Sequence, residues 1–260
     1  MSELYQEFHV GQGTQHIVLL HGWGMNASVW HPVVDALLPL GSVTLVDLPG
    51  LGRSADLAVP ESIAAMANRV EPLVPKGALI VGWSLGGLVA TELARRATVQ
   101  AQALMLVASN PCFVERADWP GMRAVIYQQF KTAISSYPDK TLKRFCLLQL
   151  QGEAQSKSLL RTLQQVIEQN TAPQLAATLQ LLEEDGRQTL DDVQVPVLHL
   201  LGGEDQLVPA VLAEHYAERW PEHKAQCVEG AGHVPFLSQP EAFYNAVRAL
   251  MSPQGDTSCS

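Results

Sequence analysis

The tightest constraint on this chain is a set of short, unbroken apolar runs: HIVLLHG (16–22), SVTLVDLPG (42–50), ALIVGWS (78–84), ALMLVAS (103–109) and VPVLHLLGG (195–203). A strand with one face in water alternates apolar and polar side chains. A continuous apolar run instead suits a strand covered on both faces, as in a parallel sheet between helices. Each run closes on Gly, Pro, Ser or Asp, which favour turns. Helical stretches such as LVATELARRA (88–97) and EAFYNAVRALM (241–251) intervene or follow. The alternation predicts an α/β fold with a mostly parallel central sheet flanked by helices.

The alternation stops between about residues 113 and 188. There the chain is Gln-rich and helical without a strand-like run: MRAVIYQQFKTAIS, TLKRFCLLQLQ, KSLLRTLQQVIEQN, APQLAATLQLLEEDG. We expect a helical lid, 113–188, inserted into a discontinuous core of 1–112 and 189–260. Charge follows the same division. The insertion holds nine Lys/Arg against eight Asp/Glu, a balance of +1, and the rest holds eight against eighteen, a balance of −10. The overall −9 argues against a nucleic-acid partner, which needs a basic surface. With 47% hydrophobic and 17% charged residues the chain suits a large buried core. No apolar run approaches the roughly 20 residues of a spanning helix, so no membrane partner is expected. The start, MSELYQEFHV, lacks the basic-then-apolar pattern of a secretory signal. Cys112, Cys146, Cys227 and Cys259 are widely spaced, with no metal-ligand grouping, as in a cytoplasmic protein with reduced thiols. The polar tail SPQGDTSCS is expected to fray.

Within this frame Gly82-Trp83-Ser84-Leu85-Gly86 fits G-x-S-x-G after a predicted strand and before a predicted helix. A sharp turn there lifts the Ser84 hydroxyl clear of the sheet. The helix N-terminus adds positive partial charge where an oxyanion would form. A serine hydroxyl needs a base, and in this architecture the acid and then the histidine follow it along the chain. Beyond the insertion His199 lies in an apolar strand and reads as a satisfied core residue. His215 and His223, in or beside LAEHYAERWPEH, read as solvent-facing. His233 stands in EGAGHVPFLSQP, a glycine-flanked loop after a short strand, and is the candidate base. For the acid that orients it, Asp205 in LLGGEDQLVP follows a strand end, with Glu204 as the neighbouring rival. Asp191 and Asp192 precede that strand and fall at the wrong end of the sheet. Asp47 precedes the serine and better anchors the DLPGLGRS turn. Oxyanion donors are expected from the backbone N–H of Leu85 and, after the first run, of Trp23 in LLHGWGMN. Neither metal nor organic cofactor is implied.

HGWGMNASVW, VDLPGLGRS, GWSLGGLVA, VASNPCF and GHVPF, spread over nearly the whole chain, resemble the α/β-hydrolase family. The tryptophan in the elbow, SNPCF, WPG (119–121) and KRFCLLQ are similar to one branch of it, the methyl ester esterases acting on a pimeloyl chain carried by acyl carrier protein. The resemblance implies a serine carboxylesterase of biotin synthesis, releasing methanol from the carrier-bound methyl ester, with some breadth toward short esters. By the same resemblance Ser84, Asp205 and His233 fall on the triad and Trp23 and Leu85 on the oxyanion positions. Phe145 to Gln149 falls on a substrate-contacting stretch, with Phe145, Leu148 and Gln149 as contacts beside Trp23, Ser84, Leu85 and His233. SNPCF has Asn110 where the branch suggests a second serine.

The insertion's charge gives a reading independent of family. From Arg116 to Arg161 it carries eight basic and three acidic residues. Lys140 and Arg144, and Lys157 and Arg161, are four apart and share helix faces. Two basic pairs on neighbouring lid helices suit an acidic carrier protein with a phosphate-bearing arm, and the acidic body would repel it elsewhere. An ordinary solvated helix surface is the alternative. A monomer is expected. Rival activities on this scaffold are a general short-chain carboxylesterase, a lactonase or a carbon–carbon bond hydrolase. A non-catalytic small-molecule receptor is the rival from another class.

Overall fold

The computed structural model describes residues 3–153, 156–168 and 174–252; the tail expected to fray, with Cys259, lies outside them apart from Ser252. The chain begins with β1 (Gln6–His9), β2 (Gln15–Leu20), α1 (His31–Leu37), β3 (Gly41–Val46), α2 (Ile63–Val70), β4 (Leu79–Trp83), α3 (Leu85–Ala94) and β5 (Ala103–Val107). The helices α4 (Ala124–Ser136), α5 (Pro138–Gln149), α6 (Ser156–Glu168), α7 (Leu175–Gln180) and α8 (Arg187–Asp191) follow. The chain then returns through β6 (Val197–Gly202), α9 (Leu212–Arg219), β7 (Lys224–Val228), α10 (Pro235–Ser238) and α11 (Pro240–Met251).

The strands form one seven-stranded sheet in the order β1-β3-β2-β4-β5-β6-β7. Only β1 is antiparallel to its neighbour. The chain moves outward from β2 to β3 and then crosses back to β4 on the other side of β2. That reversal opens a crevice at the carboxyl ends of β2 and β4, where ligands of open α/β sheets bind. All residues of β3, β4, β5 and β6 are buried, as their unbroken apolar runs require. The two edges differ. β1 alternates exposed with half-buried residues, and β7, KAQCV, exposes all but Val228. An edge strand has one covered flank, so its sequence carries no continuous apolar run; β1 was not legible for that reason.

Helices cover both faces. Ser62 caps α2 by accepting the Ala65 N–H at 3.1 Å. In α11 Phe243, Ala246, Val247 and Leu250 lie at i, i+3, i+4 and i+7 and are buried. The Phe243 ring stacks on Trp30 with centroids 5.9 Å apart. Among the described residues, 113–188 adds no strand to the sheet. Its two ends are pinned together by a Cys112–Asp185 bridge and by the Gly186 N–H donating to Pro111 O at 2.7 Å. Inside it the Tyr127 hydroxyl donates to Leu179 O at 2.8 Å, joining α4 to α7. No helix of the described residues is long and apolar enough to cross a membrane.

Two histidine expectations need correction. His199 is fully buried in β6, as expected, but it is not fully satisfied: its Nδ1 has no hydrogen-bond partner and its Nε2 lies 3.2 Å from His223 Nδ1. His223 is not solvent-facing. Its side chain is 3% exposed, because the turn after α9, closed by its N–H on Trp220 O at 2.9 Å, folds it beneath the Trp220 ring. His215 is half-buried against Trp119. A polar, charged sequence context did not reveal this ring stack, which only the packing of α9 on β6 and β7 creates.

Burial, with a smaller contribution from His223, pushes His199 down to about 3, and burial lowers His223 as well. Unfolded histidine titrates near 6.5, so both rings are neutral in the folded state and gain protons more readily when unfolded. Their contribution to stability is therefore present above about pH 6.5 and is lost as the pH falls from there toward 3. The melting temperature is expected to fall between pH 6.5 and 4.5, and His199→Phe to flatten that fall. Scanning calorimetry of both proteins across this range checks it.

Candidate active site

Ser84 joins β4 to α3 with φ 53° and ψ −117°, a left-handed conformation that a residue with a side chain rarely adopts. Such a residue costs about 1–3 kcal/mol and persists only where its surroundings fix it. Here the Ser84 N–H donates to Val107 O at 3.0 Å. The Ser84 carbonyl accepts the Gly87 N–H and the Ser109 hydroxyl, each at 2.9 Å. A Cβ on Gly82 would strike the Gly86 and Gly87 backbone, so the elbow closes only with glycine on both sides. Leu85 opens α3, so its N–H is among the first donors of the helix that have no partner within it.

The loop after β2 lies against this turn. A Cβ on Gly22 would sit 3.2 Å from Ser84 Cβ, which puts the Gly22–Trp23 backbone beside the serine. Its shape is set by Asp47 at the end of β3, whose carboxylate accepts from Ala27 N at 2.6 Å, Arg53 N at 2.7 Å and Arg53 Nε at 2.8 Å. Burial alone would raise the Asp47 pKa. The Arg53 hydrogen bonds, His21 and the backbone donors outweigh it and hold the carboxyl below the usual range. His21 accepts the Leu48 N–H on Nε2 and faces Gly22 O with Nδ1, each at 2.9 Å. That arrangement requires the Nδ1–H tautomer, and burial lowers the His21 pKa in keeping with a neutral ring. Asp47 thus anchors the DLPGLGRS turn as expected, and the Trp23 loop with it.

His233 and Asp205 meet at the carboxyl ends of β7 and β6, with His233 Nδ1 2.7 Å from Asp205 Oδ2. The other oxygen of Asp205 accepts the Leu207 and Val208 N–H groups at 2.8 and 3.1 Å. Glu204, the rival acid, is exposed. Both His233 and Asp205 are buried, and His233 Nε2 has no hydrogen-bond partner. The His233 carbonyl accepts the Trp83 indole N–H at 2.8 Å. Trp83 immediately precedes Ser84, so this bond ties the imidazole loop to the elbow. His199, His215 and His223 gather elsewhere, around Tyr216 and Trp220.

The insertion lies over the crevice. The Trp23 indole N–H donates to Leu175 O at 3.0 Å, and its ring meets Phe145 and Phe130 edge-on at 5.1 and 5.4 Å. In α5, Phe145 and Gln149 stand at i and i+4 and are buried, Leu148 is half-buried, and Leu147 is 56% exposed. Gln149 is 1% exposed, and neither atom of its amide has a protein partner. Cys146 is buried and its thiol is pushed up to about 12 by desolvation, which rules it out as a ready nucleophile. Phe130, Leu142 and Leu175, which pack on the Trp23–Gly24 loop, were not legible. They look like any buried helix residue. Lys140, Arg144, Lys157 and Arg161 are all exposed on α5 and α6. Arg144 and Lys157 border one groove of 770 Å³ together with Leu147, Leu148 and Leu160. No group of three or more metal-ligating side chains occurs among the described residues.

A sequence model of the alpha/beta hydrolase family matches residues 17–246. The chain belongs to the α/β-hydrolase family. The hydrolase is 40% identical over 254 residues to a pimeloyl-[acyl-carrier protein] methyl ester esterase of Pectobacterium atrosepticum, covering 96% of this chain and 99% of that one. It is 38% identical over 247 residues to the protein of the same name from Yersinia pseudotuberculosis, covering 94% and 95%. Among solved structures, an esterase from Exiguobacterium antarcticum superposes with a TM-score of 0.85 at 23% identity, with 95% of each chain covered. A bromoperoxidase from Bacillus anthracis superposes at 0.83 and 22%, again over 95% of each. At those identities the structural likeness speaks for the fold alone.

Replacing Asp47 with Ala removes an acceptor shared by Ala27 and Arg53 and leaves donors unpaired in a buried corner. A loss of about 3 kcal/mol is expected, the lower end for breaking a buried pair because Arg53 is partly solvated. Urea denaturation of the variant against the parent measures it.

Proposed function

We propose that this hydrolase is a serine carboxylesterase that cleaves the methyl ester of a pimeloyl chain carried on acyl carrier protein, a step of biotin synthesis. The observation that carries the chemistry is the buried His233–Asp205 pair, hung by Trp83 from the same elbow that strains Ser84. The substrate is that of the relatives, pimeloyl-[acyl-carrier protein] methyl ester esterases 38–40% identical over almost the entire chain.

In this reading His233 Nε2 removes the Ser84 hydroxyl proton as Oγ attacks the ester carbonyl. Asp205 holds the ring with Nδ1–H toward itself and stabilises the imidazolium. The N–H groups of Trp23 and Leu85 receive the oxyanion, and the developing charge also gains from the α3 N-terminus. His233 then protonates the departing methoxide. Water, deprotonated by the same imidazole, attacks the acyl-enzyme and frees the carrier-bound acid. Trp23, Phe145, Leu148 and Gln149 contact the acyl chain, the Gln149 amide supplying polar partners in an otherwise apolar wall.

Residues 113–188 act as the lid on a core of 1–112 and 189–260, and the pinned ends at Cys112–Asp185 and Pro111–Gly186 support that division. The exposed pairs Lys140/Arg144 and Lys157/Arg161 receive the acidic carrier, and the groove between Arg144 and Lys157 supports their acting together. The hydrolase works as a monomer in the cytoplasm.

Ser84→Ala is expected to lower turnover by about 10⁶-fold and Asp205→Asn by about 10⁴-fold, with the acyl-enzyme burst absent in the first. Stopped-flow release of methanol reads both, and full turnover by the Ser84 variant removes it as nucleophile. Reversing all four lid cations to Glu is expected to lower kcat/KM on methyl pimeloyl-carrier protein at least 10-fold while a free methyl ester is hydrolysed as before. Equal losses on the two substrates defeat the docking surface.

A further inference from the structure

The segment that leaves α5 does more than cover the crevice. Its backbone and one side chain bind the two residues that present the imidazole. His233 donates its N–H to Gln149 O at 3.0 Å, and Gly232 donates its N–H to Glu153 Oε1 at 2.6 Å. Between these contacts Gly152 takes φ +89°, and a Cβ there would come within 2.7 Å of Glu204 Cβ, so the same segment also rests on the loop of Asp205. On its other side the Gly232 backbone packs against the end of β6, where a Cβ on Gly202 would strike it. The strip 231–233 is thus held between the sheet and the lid, and two consecutive N–H groups of that strip are satisfied only from the lid side.

Glu153 is an unusual residue for this corner. It is 7% exposed, and no Lys, Arg or His pairs with it among the described residues. Burial raises its pKa, the Gly232 N–H and the Ser238 hydroxyl lower it, and the nearby Asp205 charge raises it. A carboxyl group is an expensive way to fill space away from a cation, and an apolar side chain of the same length would do so without the desolvation cost. What the carboxyl offers and the apolar chain does not is an acceptor for Gly232 N–H. That donor would otherwise be a buried orphan next to the imidazole residue.

We propose that Glu153 is a positioning residue for His233: it holds Gly232 by an acceptor oxygen and thereby fixes the imidazole against the elbow. The inference rests on the reading of His233 as the general base. A displacement of about 1 Å at a reacting group can cost roughly 100-fold in rate, so a bond one residue from the imidazole has large leverage.

The test uses the full-length protein with a free short-chain methyl ester, so that carrier docking plays no part. Glu153→Met keeps the length and removes the acceptor, and Glu153→Gln keeps an acceptor oxygen. Glu153→Met is expected to lower kcat about 10- to 100-fold with KM changed less than about threefold, and its rate of fluorophosphonate labelling at Ser84 to fall in parallel. Glu153→Gln is expected to recover most of that loss. If Glu153→Met does not fold, Glu153→Ser, too short to reach Gly232, takes its place. A kcat within about twofold of the parent for the variant without the acceptor overturns the proposal. So does an equal loss in Glu153→Gln, since the hydrogen bond would then not be the operative feature. Ser84→Ala and His233→Ala are measured alongside. Activity in those two defeats the reading of the triad, whereas their inactivity with an unaffected Glu153→Met defeats only this inference.

Discussion

A serine held at φ 53° needs surroundings that permit no alternative, and most of the crevice can be understood as those surroundings. The Ser84 amide is tied to β5, its carbonyl takes two donors, and the flanking glycines let β4 and α3 close to contact distance. The strain is local, of order 1–3 kcal/mol, and is offset by a sheet in which four of the five inner strands are buried throughout. The hydroxyl consequently stands at a fixed point, at the head of a helix and at the switch in strand order.

Everything else in the site is referred to that point by a hydrogen bond or a steric limit. The Trp23 loop presses on Ser84 through Gly22 and is shaped by Asp47, which also gathers Arg53 and Ala27. The His233 loop is tied to the residue before the serine through the Trp83 indole. Asp205 uses one oxygen for the imidazole and the other for its own turn, so the carboxylate cannot swing without losing backbone bonds. Buried polar groups of this kind are costly when unpaired and rigid when paired. The pairing is nearly complete: in this region His233 Nε2 and the Gln149 amide are the buried side-chain groups without a protein partner.

The insertion belongs to the site as much as the sheet does. It packs Phe130 and Phe145 against Trp23, accepts the indole N–H at Leu175 O, and grips the His233 strip at Gln149 and Glu153. Its outer face carries the basic pairs, whereas the rest of the chain has a surplus of ten acidic residues. One element therefore carries exposed basic side chains on its outer face and aromatic side chains packed on Trp23 on its inner one.

Sequence by itself determined the inner strands, because only a sheet covered on both faces tolerates unbroken apolar runs. It also determined the serine elbow, because no other setting makes a serine between glycines useful at a strand-to-helix turn. The order of Ser84, Asp205 and His233 was legible for similar reasons of local context, whereas Phe145, Leu148 and Gln149 were singled out by the family resemblance alone. Tertiary structure alone decided what depends on partners distant in the chain. It buried His223 under Trp220, placed the edge strands β1 and β7, and brought Leu175 and Glu153 to the crevice. Glu153 illustrates the reason. An acid in a polar, Gln-rich stretch looks like surface, and only the fold reveals that its carboxylate meets an amide 79 residues away.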